Sequence, residues 1–176
     1  KEQVKQMVDA FMARGFTYFD TAWAYTGSEE AIRKALVERY AGKMGVIYPT
    51  FEEYPNRNTK ENIVSYKPAN ADFKYSAEDI MAYFADKSID SLLLINPDNP
   101  SGNYIPYADL MRLIEWTRDR GVGFVVDESF VDFVDVEGEY SLLTNDVLSN
   151  NRHLYVVKSI SKSYGVPGFR LGVLAS

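Results

Sequence analysis

Tyr155-Val-Val-Lys-Ser-Ile-Ser-Lys-Ser-Tyr-Gly-Val-Pro-Gly-Phe-Arg-Leu-Gly172 begins as a short apolar run, the pattern of a buried strand. It then opens into a loop carrying serines, a lysine, glycines and an arginine. Ser159, Ser161 and Arg170 are an anion-binding set, and Lys162 is an amine able to condense with an aldehyde. Ligands of open parallel sheets sit just beyond the carboxyl ends of the strands, and this stretch places its polar chemistry there.

Working outward, helix-like and strand-like segments alternate, which predicts a single three-layer α/β domain with a mostly parallel sheet. Val4, Met7, Val8, Phe11 and Met12 form a helical stripe that Gly15 stops. Phe16–Ala24 reads as a strand, and Ser28–Leu36 as a helix with acidic residues in its first turn. Further strands are expected at Gly45–Tyr48, Asn62–Tyr66, Ser91–Ile95, Gly123–Val126, Leu154–Val157 and Leu171–Leu174, seven in all. Ser76-Ala-Glu-Asp79 has the form of a capping box ahead of Ile80, Tyr83 and Phe84, and Tyr107–Arg120 is a helix stopped by Gly121. Asp135–Asn151 is polar and reads as a surface helix or loop.

The 176 residues suffice for one buried core, and 46% hydrophobic with 25% charged residues is a globular composition. A net charge of −6 argues against nucleic acid as a partner. No apolar run is long enough to span a membrane, and the first residues do not resemble a signal peptide, so a cytoplasmic setting is expected. With no cysteine there are no disulfides or thiolate metal sites, and His153, the one histidine, argues against a histidine-based metal site or triad.

The polar residues gather at five predicted strand ends: Gly27-Ser28, Phe51, Asn99, Asp127 and Ser159–Lys162. A phosphate-bearing aldehyde that forms a Schiff base describes pyridoxal 5′-phosphate (PLP). From about Gly27 to Ser176 the chain resembles the large domain of fold-type I PLP-dependent aminotransferases of class I/II. Pro49-Thr-Phe-Glu-Glu-Tyr54, Asn96-Pro-Asp-Asn-Pro-Ser-Gly102 and Asp127-Glu-Ser-Phe-Val-Asp-Phe133 resemble the histidinol-phosphate aminotransferase and threonine-phosphate decarboxylase branches. The resemblance implies that Lys162 holds PLP and shuttles the proton, and that Asp127 pairs with the pyridinium nitrogen. It implies Asn99 on the ring's phenolic oxygen and Phe51 on the ring face. The phosphate would be held by Gly27, Ser28 and Glu29 together with Ser159, Ser161 and Arg170. The substrate would be a small amino acid or amino phosphate, with a homodimer among the implied assemblies. Plain readings stand beside these: Asp127 capping a turn, Asn99 as a turn residue, Phe51 in the core, Ser28 as a helix cap.

Two departures from that family are visible. Phe130 stands where many aminotransferases have a tyrosine donating to the phenolic oxygen, and no residue matches the arginine that clamps the substrate carboxylate. Weak or no turnover is therefore expected from these residues alone, with a non-catalytic α/β scaffold, engineered or truncated, as the alternative. Residues 1 to about 40 resemble instead a βα segment of the aldo/keto reductases, whose aspartate and tyrosine five apart match Asp20 and Tyr25. The expected layout is a chimera, with an ordinary divergent N-terminus as the alternative: 1–26 reductase-like, a splice within 27–44, and 45–176 aminotransferase-like. NADPH-dependent carbonyl reduction is the third alternative.

Overall fold

Short runs of Val, Ile and Leu between helix-length segments can bury both faces only when helices cover them, and this is how a parallel sheet forms. The computed structural model describes residues 2–15, 31, 34, 39, 42–138, 140–166, 168 and 171–176. In chain order its elements are helix α1 (Glu2–Met12), strand β1 (Met44–Ile47), helix α2 (Glu53–Asn56), strand β2 (Ile63–Tyr66), helix α3 (Ala77–Phe84) and strand β3 (Ser91–Ile95). Helix α4 (Tyr107–Asp119), strand β4 (Gly123–Asp127), helix α5 (Asn145–Asn150), strand β5 (Leu154–Ser159), helix α6 (Ile160–Ser163) and strand β6 (Gly172–Ala175) complete them.

The sheet runs β2-β1-β3-β4-β5-β6. All neighbours are parallel except β6, which returns antiparallel along β5. Six of the seven predicted strands are present. The seventh, Phe16–Ala24, and the predicted helix Ser28–Leu36 fall outside the described residues, apart from isolated positions of the helix.

β3 is central, and Leu92, Leu93, Leu94 and Ile95 are all buried although they alternate between faces. At roughly 2 kcal/mol for each fully buried leucine, this strand anchors the sheet. One face is covered by α3 and α4, whose Ile80, Phe84, Leu110, Leu113 and Ile114 join Leu92, Leu94, Phe124 and Val126 in one core. The capping box is formed: the Ser76 hydroxyl accepts from the Asp79 N–H at 3.2 Å, and the Asp79 carboxylate accepts from the Ser76 N–H at 2.9 Å. α3 lies so close to β1 that a Cβ on Gly45 would come 2.8 Å from Cε1 of the buried Phe84, which explains a glycine inside a strand. α4 ends as expected, with Gly121 at φ +66°.

Two expectations need correction. Met7 does not belong to the buried stripe of α1: it is exposed, and Val8 is the residue that α1 buries. The stretch 135–151 is not all surface, because Leu142, Val147 and Asn151 are buried. His153 is structural: its Nε2 lies 3.0 Å from the Ile114 carbonyl, tying the start of β5 to α4.

Candidate active site

Parallel pairing in register brings the carboxyl ends of β3, β4 and β5 level. Ile95 is opposite Asp127, and Asp127 is opposite Val157. The Asn96 N–H donates to the Asp127 carbonyl at 2.9 Å, and the Glu128 N–H to the Val157 carbonyl at 2.7 Å. Whatever follows each strand is thereby delivered to one edge: the Asn96–Gly102 turn, Asp127, and the Ser-Ile-Ser-Lys run. β6 returns antiparallel, so its first residue Gly172 pairs with Ser159 at that same edge.

Asp127 is the best-held group there, with only 7% of its surface exposed. Its Oδ1 accepts from the Ser129 N–H at 2.8 Å, and its Oδ2 accepts from the Tyr54 hydroxyl at 2.5 Å. The turn-capping reading of Asp127 is therefore correct for one oxygen, while the other is turned toward α2. Burial, together with the hydrogen bond and the negative charge of Asp127, pushes the Tyr54 phenol far above the usual tyrosine range. The Ser129 hydroxyl accepts from the Ser159 N–H at 2.9 Å, so the turn after β4 and the end of β5 are coupled.

Ser159 and Ser161 are both half-buried, at the start and in the first turn of α6. Lys162 lies in the same turn, exposed, with its ammonium 5.5 Å from the centroid of the Phe130 ring. That contact is a cation–π interaction. The phenylalanine that departs from the common tyrosine thus offers its ring face to the lysine. Next to it, Lys158 and Asp132 form an ion pair at 2.6 Å, and hydrogen bonding to Lys158 holds the Asp132 carboxyl below its usual range.

Phe51 is 47% exposed, which removes the core reading of that residue. With Asn99 it lines a cavity of about 420 Å³, together with Thr50, Glu52, Glu53, Asn56 and Pro100. Asp127, Ser159, Ser161 and Lys162 are not part of that wall. Phe51 reaches Asp127 indirectly: its ring meets that of Tyr54 edge-on, with centroids 6.3 Å apart. Gly27, Ser28, Glu29 and Arg170 fall outside the described residues, as do Asp20 and Tyr25.

Asn99 rides on a turn built by its neighbour. Asp98 is buried, accepts from the Ser101 hydroxyl and the Asn99 and Ser101 N–H groups, and is raised by burial to about 6. A carboxyl whose folded value exceeds its unfolded value of about 3.9 favours the fold most when protonated. Stability therefore falls as pH rises from about 4 through 6. This group contributes a decline of about 3 kcal/mol, because a tenfold change in proton affinity is worth about 1.4 kcal/mol. About 2 kcal/mol of it falls between pH 4 and pH 7, so in denaturant melts the wild type should lose that much more stability over this range than Asp98→Asn.

Tyr54, Ser129 and Glu128 carry site geometry that the sequence reading missed. Tyr54 sits three residues beyond Phe51, the spacing of one helical face, and that was the available signal. Its partner is 73 residues away, a pairing no local pattern announces.

The donor set fits PLP. It offers a buried carboxylate for a ring nitrogen, two hydroxyls for a phosphate, an amine beside them, and an exposed aromatic face on a cavity that also holds an asparagine.

Comparison with known proteins points the same way. The sequence model described as aminotransferase class I and II matches residues 44–176. The CMP-5′-(3-aminopropyl)phosphonate synthase of Streptomyces rubellomurinus is 35% identical over 150 residues, 85% of this chain and 23% of that protein. The L-serine phosphate decarboxylase of Campylobacter jejuni is 30% identical over 145 residues, 80% of this chain and 37% of that protein. Among solved structures, a decarboxylase from Sulfurospirillum multivorans superposes with a TM-score of 0.66 at 28% identity, covering 84% of this chain and 42% of that one. The histidinol-phosphate aminotransferase of Clostridium acetobutylicum shares the fold, with a TM-score of 0.63 at 22% identity over 77% of this chain and 39% of that one. The chain thus spans well under half the length of these relatives. With a family match across its whole parallel sheet and the Ser-Ile-Ser-Lys turn in place, the chain belongs to the class I and II aminotransferases, a PLP-dependent family.

Proposed function

We propose that this chain is the cofactor-bearing part of a PLP enzyme that transfers amino groups on small amino acids or amino phosphates. The observation that supports it most is the buried, doubly held Asp127 carboxylate beside the Ser159–Lys162 turn. When bound, PLP supplies an electron sink for bonds at the substrate's amino-bearing carbon. Lys162 would hold the cofactor and carry a proton at Nζ, and Asp127 would keep the ring nitrogen protonated. Asn99 would donate to the ring oxygen, and Phe51 would pack on the ring. Ser159 and Ser161, with Gly27, Ser28, Glu29 and Arg170, would hold the phosphate. Turnover by these 176 residues alone is expected to be weak, because no residue matches the carboxylate clamp by motif.

The names of two relatives favour a second reading, decarboxylation. An assay with PLP, L-serine O-phosphate and a 2-oxo acid separates the two. Formation of a new amino acid from the 2-oxo acid supports transfer, carbon dioxide without it supports decarboxylation, and a chain that does not take up PLP contradicts both. We also infer that residues 1–26 come from a reductase-like βα segment joined ahead of this domain. The Asp20 and Tyr25 spacing supports this, as does a family match that starts at residue 44. A natural transcript reading continuously through residues 27–44 would contradict it.

A further inference from the structure

To serve a ring nitrogen, Asp127 must keep one lone pair aimed outward. A carboxylate oxygen has two lone pairs, and each oxygen of Asp127 commits one within the protein, Oδ1 to the Ser129 N–H and Oδ2 to the Tyr54 hydroxyl. The two bonds come from different elements, the turn after β4 and helix α2, so the carboxylate plane is fixed from both sides. Burial, then the hydrogen bond and charge of Asp127, hold the phenol far above its usual range, which favours the hydroxyl that donates to Oδ2. Tyr54 also meets the Phe51 ring edge-on, so one side chain steadies the charge partner and the exposed aromatic shelf together.

We propose that Tyr54 is a positioning residue, acting through Asp127 to keep that carboxylate oriented for the ring nitrogen of PLP. The inference rests on the reading that Asp127 faces that nitrogen. Its rival is a structural role, in which the same hydrogen bond only ties α2 to the sheet.

Binding of PLP and of its 1-deaza analogue, whose ring has CH in place of nitrogen, separates the two in the full chain. Wild type should bind PLP more tightly than the analogue. Tyr54→Phe keeps the ring against Phe51 and removes only the hydroxyl. It should weaken PLP binding about tenfold while changing analogue binding less than about twofold. Bound PLP labelled with ¹⁵N at the ring should lose nitrogen protonation in the variant. Equal losses for both ligands, or no loss for either, would overturn the proposal. A wild type that does not distinguish the ligands overturns the Asp127 reading, and this inference with it; that failure is visible before any substitution is made. Should Tyr54→Phe not fold, 3-fluorotyrosine at position 54 is a stronger donor of nearly the same size. It must then shift PLP affinity and leave the analogue's affinity unchanged, and equal shifts count against the proposal.

Discussion

If Lys162 is the proposed proton carrier, Lys162→Met is expected to lower any amino-transfer turnover by about 10²–10⁴-fold, the usual contribution of such a group. Methionine nearly matches the length of lysine and can still pack on Phe130, whose ring the ammonium faces at 5.5 Å. The fold should therefore be undisturbed, and denaturant melts of the variant should match wild type within about 0.5 kcal/mol, as for other surface changes. Lys158 is the informative control. Its ammonium is committed to Asp132 at 2.6 Å, so it cannot replace Lys162 without breaking an ion pair. Initial rates of amino transfer in the two variants check the prediction. If Lys162→Met retains wild-type turnover while Lys158→Met loses it, the assignment of the catalytic amine is wrong.

The largest stability effect is expected at Glu128, which is fully buried immediately after the site aspartate. Its Oε1 accepts from the Leu142 N–H and its Oε2 from the Ser141 hydroxyl, both at 2.7 Å. Burial raises its carboxyl above the ordinary value, and the two donors offset part of that cost. Glu128→Ala leaves a buried N–H without a partner and opens a cavity beside the core residue Leu142, so it should cost about 3 kcal/mol. For a chain of this size that is a fall in melting temperature of roughly 6–12 °C. Glu128→Gln keeps one acceptor for Leu142, and Ser141 can rotate to accept from the new amide, so about 1 kcal/mol or less is expected. Calorimetry on the two variants measures the contrast. Equal, small losses would show that the 140–142 segment is not held by this carboxylate.

Glu128 also shows why part of the structure was illegible in the sequence. The strands were legible because β3 to β5 are short apolar runs with turn residues after them, and a buried parallel strand needs little else. The capping box at Ser76 and the stop at Gly121 are local chemistry, legible without knowledge of the rest of the fold. Pairing direction is not written in an apolar run, so nothing in Gly172–Ala175 announced that β6 would return antiparallel. The polarity of 135–151 concealed Leu142, because its buried place depends on a carboxylate fourteen residues earlier. The gathering of Asp127, the Asn96–Gly102 turn and the Ser159–Lys162 turn at one sheet edge was legible, because polar residues follow each apolar run. The Tyr54–Asp127 hydrogen bond was not, since it exists only once α2 is folded against β4. Phe130 was legible as a departure, but its contact with Lys162 was not.

Lys162, in the turn that begins at Ser159 on the sheet edge where Asp127 also lies, is the amine proposed to take up PLP. Borohydride reduction of the chain with stoichiometric PLP, followed by peptide mass spectrometry, tests it most directly. A phosphopyridoxyl mass is expected on the peptide containing Lys162, with its loss in Lys162→Met. Label spread evenly over the surface lysines, or confined to a lysine other than Lys162, would contradict it.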